Sequence, residues 1–593
     1  MKKAAMGAVN FLARPFTTMW AFTLGMLMVY LCLKYGVGGD ALQLKYVVPE
    51  LLTLALALSL LKGRWRTAAE WIVIVGIGLL SAVELWLHNH FRLTLSCQAL
   101  QLLMETNSRE ASEFASQFVY TASTLKYALM LALGYAIAAM LHLRCTRKWV
   151  ERTAKTIPAQ WSLWLKVGAI VGAAVLYFVR SGWVGMQPRM AYALLSSSVG
   201  EYEQRFIKGE GAGGCGTCTP LSRLMHGMCL YSLTRAQCDE LIGVLKRAKI
   251  DGCDYRSSNL MLLIGESFIK RHAQIYGYAL PTTPRMMAEM EKGNLVRIDD
   301  AITMVARTSD VFKEMLSMHS IDQAGSWSSV PMMPHLFRLA GYRVSLISNQ
   351  YARSTHDVWN TTGAFFLENP EVSRLLVDYH NPHTYRYDEG LLHEVDSLMR
   401  ARSERNLVML HVRGQHVKFE NGYPENRAHF SAADYGHRSE LSQEQKREVA
   451  HYDNCTLYQD SIAGALFDRY RHTDMVIVMV SDHGENVYDD GHTLGRSHNH
   501  FSRAMLESQY QVPMWIWCSD KYRTLHPHMV ERIKAAQQRP FETDDISHLM
   551  LDLAGIRCPY FEPKRSLIDD HFDSGRKRLV GDAKHHYERL LKR

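Results

Sequence analysis

The 593-residue chain has no internal repeat, and its one low-complexity patch is Gly209-Glu-Gly-Ala-Gly-Gly214. That excludes a solenoid or tandem array and leaves the patch as a flexible connector. No small-residue cleavage site follows the first apolar run, so a removable leader is not expected. Basic residues are scarce in stretches 37–45 and 88–118, which hold only Lys45, Arg92 and Arg109. Neither stretch fits the cytoplasmic side of a membrane, where Lys and Arg accumulate.

What is present divides the chain in two. Apolar runs crowd the first 180 residues, and the remainder reads as an ordinary globular protein. Five runs have the length and apolarity of membrane spans: 16–36, 46–62, 69–87, 119–143 and 161–180. The second is short and carries Glu50. Lys2, Lys3 and Arg14 precede the first; Lys62, Arg64 and Arg66 separate the second from the third; Arg144, Arg147, Lys148, Arg152 and Lys155 separate the fourth from the fifth. The positive-inside rule then places the N-terminus in the cytoplasm, and five spans put the C-terminal part outside. The expected order is a five-helix transmembrane domain (1–185), a cysteine-bearing juxtamembrane linker (186–257) and an α/β domain (258–593).

Eight of the 11 cysteines lie in the exported part: Cys215, Cys218, Cys229, Cys238, Cys253, Cys455, Cys518 and Cys558. An oxidising exterior permits disulfides there. Cys215-Gly-Thr-Cys218 reads as a structural bridge rather than a redox or metal pair, and spacing leaves the connectivity open.

Beyond residue 258, short β-rich runs alternate with helix-like segments, the pattern of a sheet with covering helices. Four of these runs end in polar groups. Leu260–Ile264 leads to Gly265-Glu266-Ser267, Val344–Ile347 to Ser348-Asn349-Gln350, Leu407–Leu410 to His411 and Gly414-Gln415-His416, and Val476–Val480 to Ser481-Asp482-His483. In open α/β sheets ligands sit beyond the carboxyl ends of the strands, so four such endings predict one site assembled from distant parts of the chain. Glu266, Asp482 and His483 offer the oxygen and nitrogen donors that suit zinc. The plainer alternative is that Asp482 caps a following helix and His483 packs locally. Downstream, His492, His498 and His500 could bind a second ion, hold a phosphate or protonate a leaving group.

Taken in order, Gly265-Glu-Ser267, Tyr276-Gly-Tyr278, Thr282-Thr-Pro284, Ser348-Asn-Gln350, Tyr387-Asp-Glu389, Tyr452-Asp-Asn454, Ser481-Asp-His-Gly-Glu485 and Val512-Pro513 resemble the phosphoethanolamine transferases of Gram-negative inner membranes. The series covers residues 258–556. The resemblance implies an alkaline-phosphatase/sulfatase-like α/β/α domain in the periplasm on a multi-pass inner-membrane anchor. It also implies zinc, a threonine nucleophile, phosphatidylethanolamine as donor and a lipopolysaccharide or other envelope glycan as acceptor. The family's glutamate falls on Glu266 and its Asp-His pair on Asp482 and His483; the nucleophile matches Thr308 in Met304-Val-Ala-Arg-Thr-Ser309. A helix over Ser309–Met318 would aim its positive end at Thr308, and zinc would favour its alkoxide. Without the resemblance Thr308 reads as a helix N-cap.

His416 matches the family's substrate-binding histidine, His492 and His498 compete for the second such position, and Asn349 falls beside the expected phosphoethanolamine group. Members acting on lipid A often carry a lysine soon after that asparagine, whereas here Gln350-Tyr-Ala-Arg353 follows. Ser-Asn-Gln looks more like members acting on core heptose or periplasmic glucans. Glu485 reads as a helix-start or supporting residue as readily as a ligand. The basic tail from Arg576 to Arg593 reads as a solvated helix face or as a contact for anionic lipid. One zinc ion is expected, with a second open, in a monomer that has no nucleic-acid partner.

Two rivals remain. A phosphoglycerol transferase or a sulfatase-type hydrolase would share the fold, although the Cys/Ser-x-Pro/Ala-x-Arg context of sulfatases is missing beside Thr308. A non-catalytic glycolipid-binding assembly factor would have no need of a metal-activated hydroxyl.

Overall fold

The structure is a computed structural model, and it describes scattered positions between 61 and 136 together with residues 192–206, 220–350, 367, 369–400, 403–496, 501–581 and 584–592. The chain divides into two units, Met1–Arg235 with His356–Thr361, and Ala236–Thr355 with Thr362–Arg593.

In the first unit, spans 16–36, 46–62 and 161–180 lie outside the described residues, Leu61 aside. Only isolated positions of 69–87 and 119–143 are described, and these are helical. Among the described residues no helix is long and apolar enough to cross a membrane. The indole of Trp86 donates to Thr124 Oγ1 at 2.8 Å, and Arg223 pairs with Glu84 at 2.6 Å. Among its described residues, the stretch read as a linker holds two helices, Val199–Phe206 and Pro220–Arg247.

The second unit is built on a seven-stranded sheet. In chain order its strands are β1 (Asn259–Gly265), β2 (Leu295–Arg297), β3 (Arg343–Ser348), β4 (Tyr379–His380), β5 (Asn406–His411), β6 (Met475–Ser481) and β7 (Met514–Cys518). Their spatial order is β2-β7-β6-β1-β5-β3-β4. The four apolar runs singled out in the sequence are therefore the four adjacent central strands. They are mutually parallel, whereas β7 runs antiparallel to both its neighbours. Every residue of β1, β5 and β6 is buried, which explains why these strands read as continuous apolar runs rather than as alternating ones.

Helices cover both faces. Met261, Leu263, Val408, Leu410, Ile477 and Met479 pack with apolar residues of α2 (Glu389–Arg400) and α3 (Gln443–Tyr470). Across the sheet lie α1 (Thr308–Leu316), Met333–Leu339 and α4 (Ile546–Ala554), which pack on one another. Ser547 Oγ donates to the Met315 carbonyl at 2.8 Å and joins α4 to α1. Ser442 starts α3 with a capping box: Gln445 N donates to Ser442 Oγ and Ser442 N to Gln445 Oε1.

The register is what builds a site. Gly265 lies opposite Ser481, Ile264 opposite His411, and Ser348 opposite the same His411. The carboxyl ends of β6, β1, β5 and β3 are thus level, and the residues that follow them emerge side by side.

The C-terminal tail divides: Lys577, Lys584, Arg589 and Lys592 are exposed, as a solvated face would be, whereas Arg576 and Arg578 are held by carboxylates. Arg578 grips Asp300 with two parallel bonds of 2.8 and 2.9 Å and Glu588 at 2.7 Å. Arg576 bonds to Asp544 and Asp545 and pairs with Glu542 at 3.4 Å and Asp322 at 3.1 Å. Asp544 and Glu542 are fully buried. The Gly581 amide donates to the Met304 carbonyl at 2.8 Å, so the tail braces the segment leading to Thr308. Removing Arg576 would leave buried carboxylates unpaired. Arg576→Met is expected to lower unfolding free energy by about 3–5 kcal/mol, read from denaturant unfolding of the purified chain.

Candidate active site

Glu266 leaves β1 at a strained turn, because Ser267 adopts φ 57°. Three bonds hold that turn against the end of β6. Ser267 N donates to Asp482 Oδ1 at 3.0 Å, Phe268 N to Ser481 Oγ at 3.0 Å, and Asp482 N to the Gly265 carbonyl at 3.0 Å. From behind, the Tyr452 hydroxyl donates to the Ser267 carbonyl and accepts from Ile269 N, both at 2.7 Å. The result is a buried cluster of Glu266, Asp482 and His483 whose donor atoms all lie within 4.8 Å of one another.

Thr308, the first residue of α1, reaches this cluster. Its hydroxyl lies 3.0 Å from Glu266 Oε2 and 3.2 Å from His483 Nε2. His483 Nδ1 is 2.8 Å from the Gly484 carbonyl, which can only accept, so Nδ1 carries the proton and Nε2 a lone pair. That lone pair accepts from Arg496 Nη1 at 2.6 Å. When the Thr308 proton goes to Glu266, the Thr308 oxygen and His483 Nε2 face each other with lone pairs.

The residues present fit a metal ion. Asp482 Oδ1 accepts from Ser267 N and His483 N, but the fully buried Oδ2 has no hydrogen-bond partner and lies 3.2 Å from His483 Nε2. A buried carboxylate oxygen left without a donor is costly unless it faces a cation. Two carboxylates, one imidazole and one hydroxyl form the N/O set that zinc takes.

The charges point the same way. Burial, and then the neighbouring Glu266 charge, push Asp482 far above the usual carboxylate range. For Glu266 burial acts upward, but His483, His416 and Arg496 outweigh it and hold the carboxyl below its ordinary value. Burial and Arg496 push His483 down to about 3, so it stays neutral and able to ligate.

Glycine is required at two places by close approach. A side chain on Gly484 would meet the Ser508 carbonyl oxygen at 1.9 Å. Gly414 (φ +52°) crosses Glu266 so closely that a Cβ would lie 2.9 Å from the Glu266 carbonyl oxygen. Asp388 holds that crossing by accepting from Arg413 N at 2.8 Å and Gly414 N at 3.1 Å.

Of the residues expected from sequence, Glu266, Thr308, Asp482 and His483 come together. His416 is exposed on the same crossing loop, close enough for its charge to act on Glu266. His492 is exposed after Asp490, which accepts from its backbone N at 2.9 Å, and His498 and Arg353 lie outside the described residues. Asn349 is buried and its amide is spent within the protein, donating to Asp388 at 2.8 Å and accepting from Tyr385 N at 2.6 Å. No helix follows Asp482, so the capping alternative falls. Glu485 is buried outside the ligand cluster, with Arg496 Nε 3.4 Å from its Oε2, and burial pushes it up to about 7.

Two site residues were given no role by the sequence. Gln350 donates to Glu266 Oε2 at 2.8 Å and to His411 Nε2 at 3.2 Å. Arg496 reaches His483 from a loop with no regular pattern, and no local signal marks it. Gln350 had one, since it follows a strand end directly. The six described cysteines beyond residue 186, Cys229, Cys238, Cys253, Cys455, Cys518 and Cys558, are free thiols, and Cys215 and Cys218 lie outside the described residues.

Residues 258–556 match the family model described as Sulfatase. The chain is similar to phosphoethanolamine transferase EptC of Escherichia coli, 24% identical over 485 residues that cover 80% of this chain and 78% of that one. It is also similar to phosphoethanolamine transferase CptA of Salmonella typhimurium, 25% identical over 523 residues, 86% of this chain and 84% of the other. Among solved structures, the C-terminal periplasmic domain of Escherichia coli EptC in complex with Zn aligns with a TM-score of 0.50 at 24% identity, over 58% of this chain and 95% of that one.

If the orphan Asp482 oxygen faces a cation, replacing it removes both the ligand and a buried charge. Asp482→Asn is expected to weaken zinc binding at least about 100-fold, roughly 2.8 kcal/mol. Zinc should raise the melting temperature of the parent protein and leave that of the variant unmoved. An equal zinc-induced rise in both would contradict the assignment.

Proposed function

The chain belongs to the sulfatase family, and we propose that it is a zinc-dependent transferase that moves phosphoethanolamine from phosphatidylethanolamine to an envelope glycan through a phosphothreonine at Thr308. The observation that carries this reading is the Thr308 hydroxyl lying 3.0 Å from Glu266 and 3.2 Å from His483. A binding protein has no use for a hydroxyl held there. The names of relatives that align along four-fifths of the chain support the phosphoethanolamine group and the transferase class.

Glu266, Asp482, His483 and Thr308 would hold zinc, which when bound favours the alkoxide of Thr308 and neutralises phosphoryl charge. Thr308 Oγ1 bonds to the phosphorus of the donor as the bond from phosphorus to the glycerol oxygen breaks. The proton lost by Thr308 goes to that oxygen, and diacylglycerol departs. In the second half an acceptor hydroxyl attacks the phosphothreonine, and its proton returns to Thr308. His416, with His492 or His498, holds the phosphate and carries these protons. Arg496 and the amino end of α1 add positive charge where the transition state gathers negative charge. Gln350 keeps Glu266 aimed at Thr308, and Asn349 acts by fixing the loop through Asp388.

The reading places the protein in the inner membrane as a multi-pass monomer with its catalytic unit in the periplasm. The acceptor is a lipopolysaccharide, with a core sugar ahead of lipid A, because Ser348-Asn-Gln350 continues to Arg353 without a lysine. Mass spectrometry of the chain incubated with phosphatidylethanolamine tests the reaction. A phosphoethanolamine adduct on Thr308 is expected, and none in Thr308→Ala, whose turnover should fall at least about 1000-fold. A phosphoglycerol adduct, or full complementation of a deletion strain by Thr308→Ala, would sink the proposal.

A further inference from the structure

Behind the site lies a second group of titratable side chains that the transfer reaction does not use. His272 is buried between two carboxylates: Nδ1 lies 2.6 Å from Asp453 Oδ1 and Nε2 3.3 Å from Asp489 Oδ1. Asp453 comes from α3, and its other oxygen accepts from the Tyr278 hydroxyl at 2.8 Å and the Tyr435 hydroxyl at 2.5 Å. The ring of Tyr278 stacks on His272 at 4.9 Å, and that of Tyr452 meets it edge-on at 5.1 Å. Two carboxylate partners can both be satisfied only by an imidazole that donates from both nitrogens, which is the protonated form. Burial opposes that charge, but Asp453 and then Asp489 outweigh it and hold the group up at about 10.

The three elements joined in this way are those that carry the site. His272 follows the turn of Glu266, α3 supplies Tyr452 to that same turn, and Asp489 sits in the loop after Asp482 and His483. That loop folds back on itself. Val487 bridges to Leu494, Tyr488 N donates to the Thr493 carbonyl at 2.9 Å, and Gly495 N donates to the Asn486 carbonyl at 2.9 Å. Within it, Asp489 N donates to Asn486 Oδ1 at 3.0 Å and Val487 N to Asp489 Oδ2 at 3.2 Å. Arg496 is the next residue after this closed loop. Whatever anchors Asp489 therefore also sets where the Arg496 guanidinium arrives against His483.

We propose that His272 is a positioning residue that clamps loop 486–495 to the turn of Glu266 and so presents Arg496 to the phosphoryl group at Thr308. The part that concerns the phosphoryl group rests on the function proposed above; the clamp itself rests on geometry alone. His272 touches neither Thr308 nor the metal-ligating side chains. It acts through Asp489.

The clamp can be cut on one side. Asparagine at this position places its amide nitrogen near the place of Nδ1, so His272→Asn keeps the Asp453 contact and loses the reach to Asp489. In the full-length, zinc-loaded protein in detergent, this variant should speed amide hydrogen exchange across residues 486–496 by about tenfold or more while β6 stays protected. Turnover of phosphatidylethanolamine should fall about tenfold in kcat/KM at unchanged zinc content. Asp489→Ala should give the same loss, and the double variant should be no worse than the poorer single variant. Unchanged exchange in the loop, exchange that rises equally in β6, or losses that add in full would overturn the proposal. If the parent protein forms no adduct on Thr308, the transfer reading fails while the exchange comparison still decides the clamp.

Discussion

Two carboxylates buried side by side govern the rest of this structure. Glu266 and Asp482 are both fully buried, and like charges so placed cannot both stay ionised without a compensating cation. Each neighbouring feature answers that demand: a neutral imidazole with its lone pair turned inward, a guanidinium at 2.6 Å from it, the amino end of α1, and a carboxylate oxygen that no protein group serves. A divalent ion held there would balance the remaining negative charge and would let an adjacent hydroxyl lose its proton readily.

Many polar residues of the ordered series around the site hold backbone in place. Asp388 ties down the loop of Gly414, Tyr452 ties down the turn of Glu266, and Asn454 accepts from the amides of His429 and Phe430 at 2.7 and 2.8 Å. The Tyr276 hydroxyl joins the Met514 carbonyl, on β7, at 2.6 Å, and Thr282 Oγ1 holds the His272 carbonyl at 2.7 Å. The phosphoryl-transfer geometry proposed here tolerates little displacement, and these side chains supply the fixed backbone that it needs.

That division decides what could be read from the residues in order. The four central strands were legible because both of their faces are covered, which leaves an unbroken apolar run ending in polar groups. Glu266, Asp482 and His483 were legible because they sit directly at those ends. Arg496 was not, because its position depends on the closure of loop 486–495 by bonds that leave no periodic trace. The tail arginines were read as surface charge for a similar reason: nothing near Arg576 announces that Asp544, Asp545 and Glu542 lie across from it. Asn349 was legible at a strand end for the same reason, while its bonds to Asp388 and Tyr385 were not, because both partners lie more than thirty residues away.

The same tail sets an order of events. The backbone leading to Thr308 receives hydrogen bonds from Gly581, at the Met304 carbonyl, and from Arg578, at the Asp300 carbonyl, both synthesised later than the four site residues. During synthesis Glu266, Thr308, Asp482 and His483 all emerge before the residues that fix the approach to Thr308. A chain still in the course of translation therefore carries every reactive group without the brace behind its nucleophile until Arg578 and Gly581 have been added.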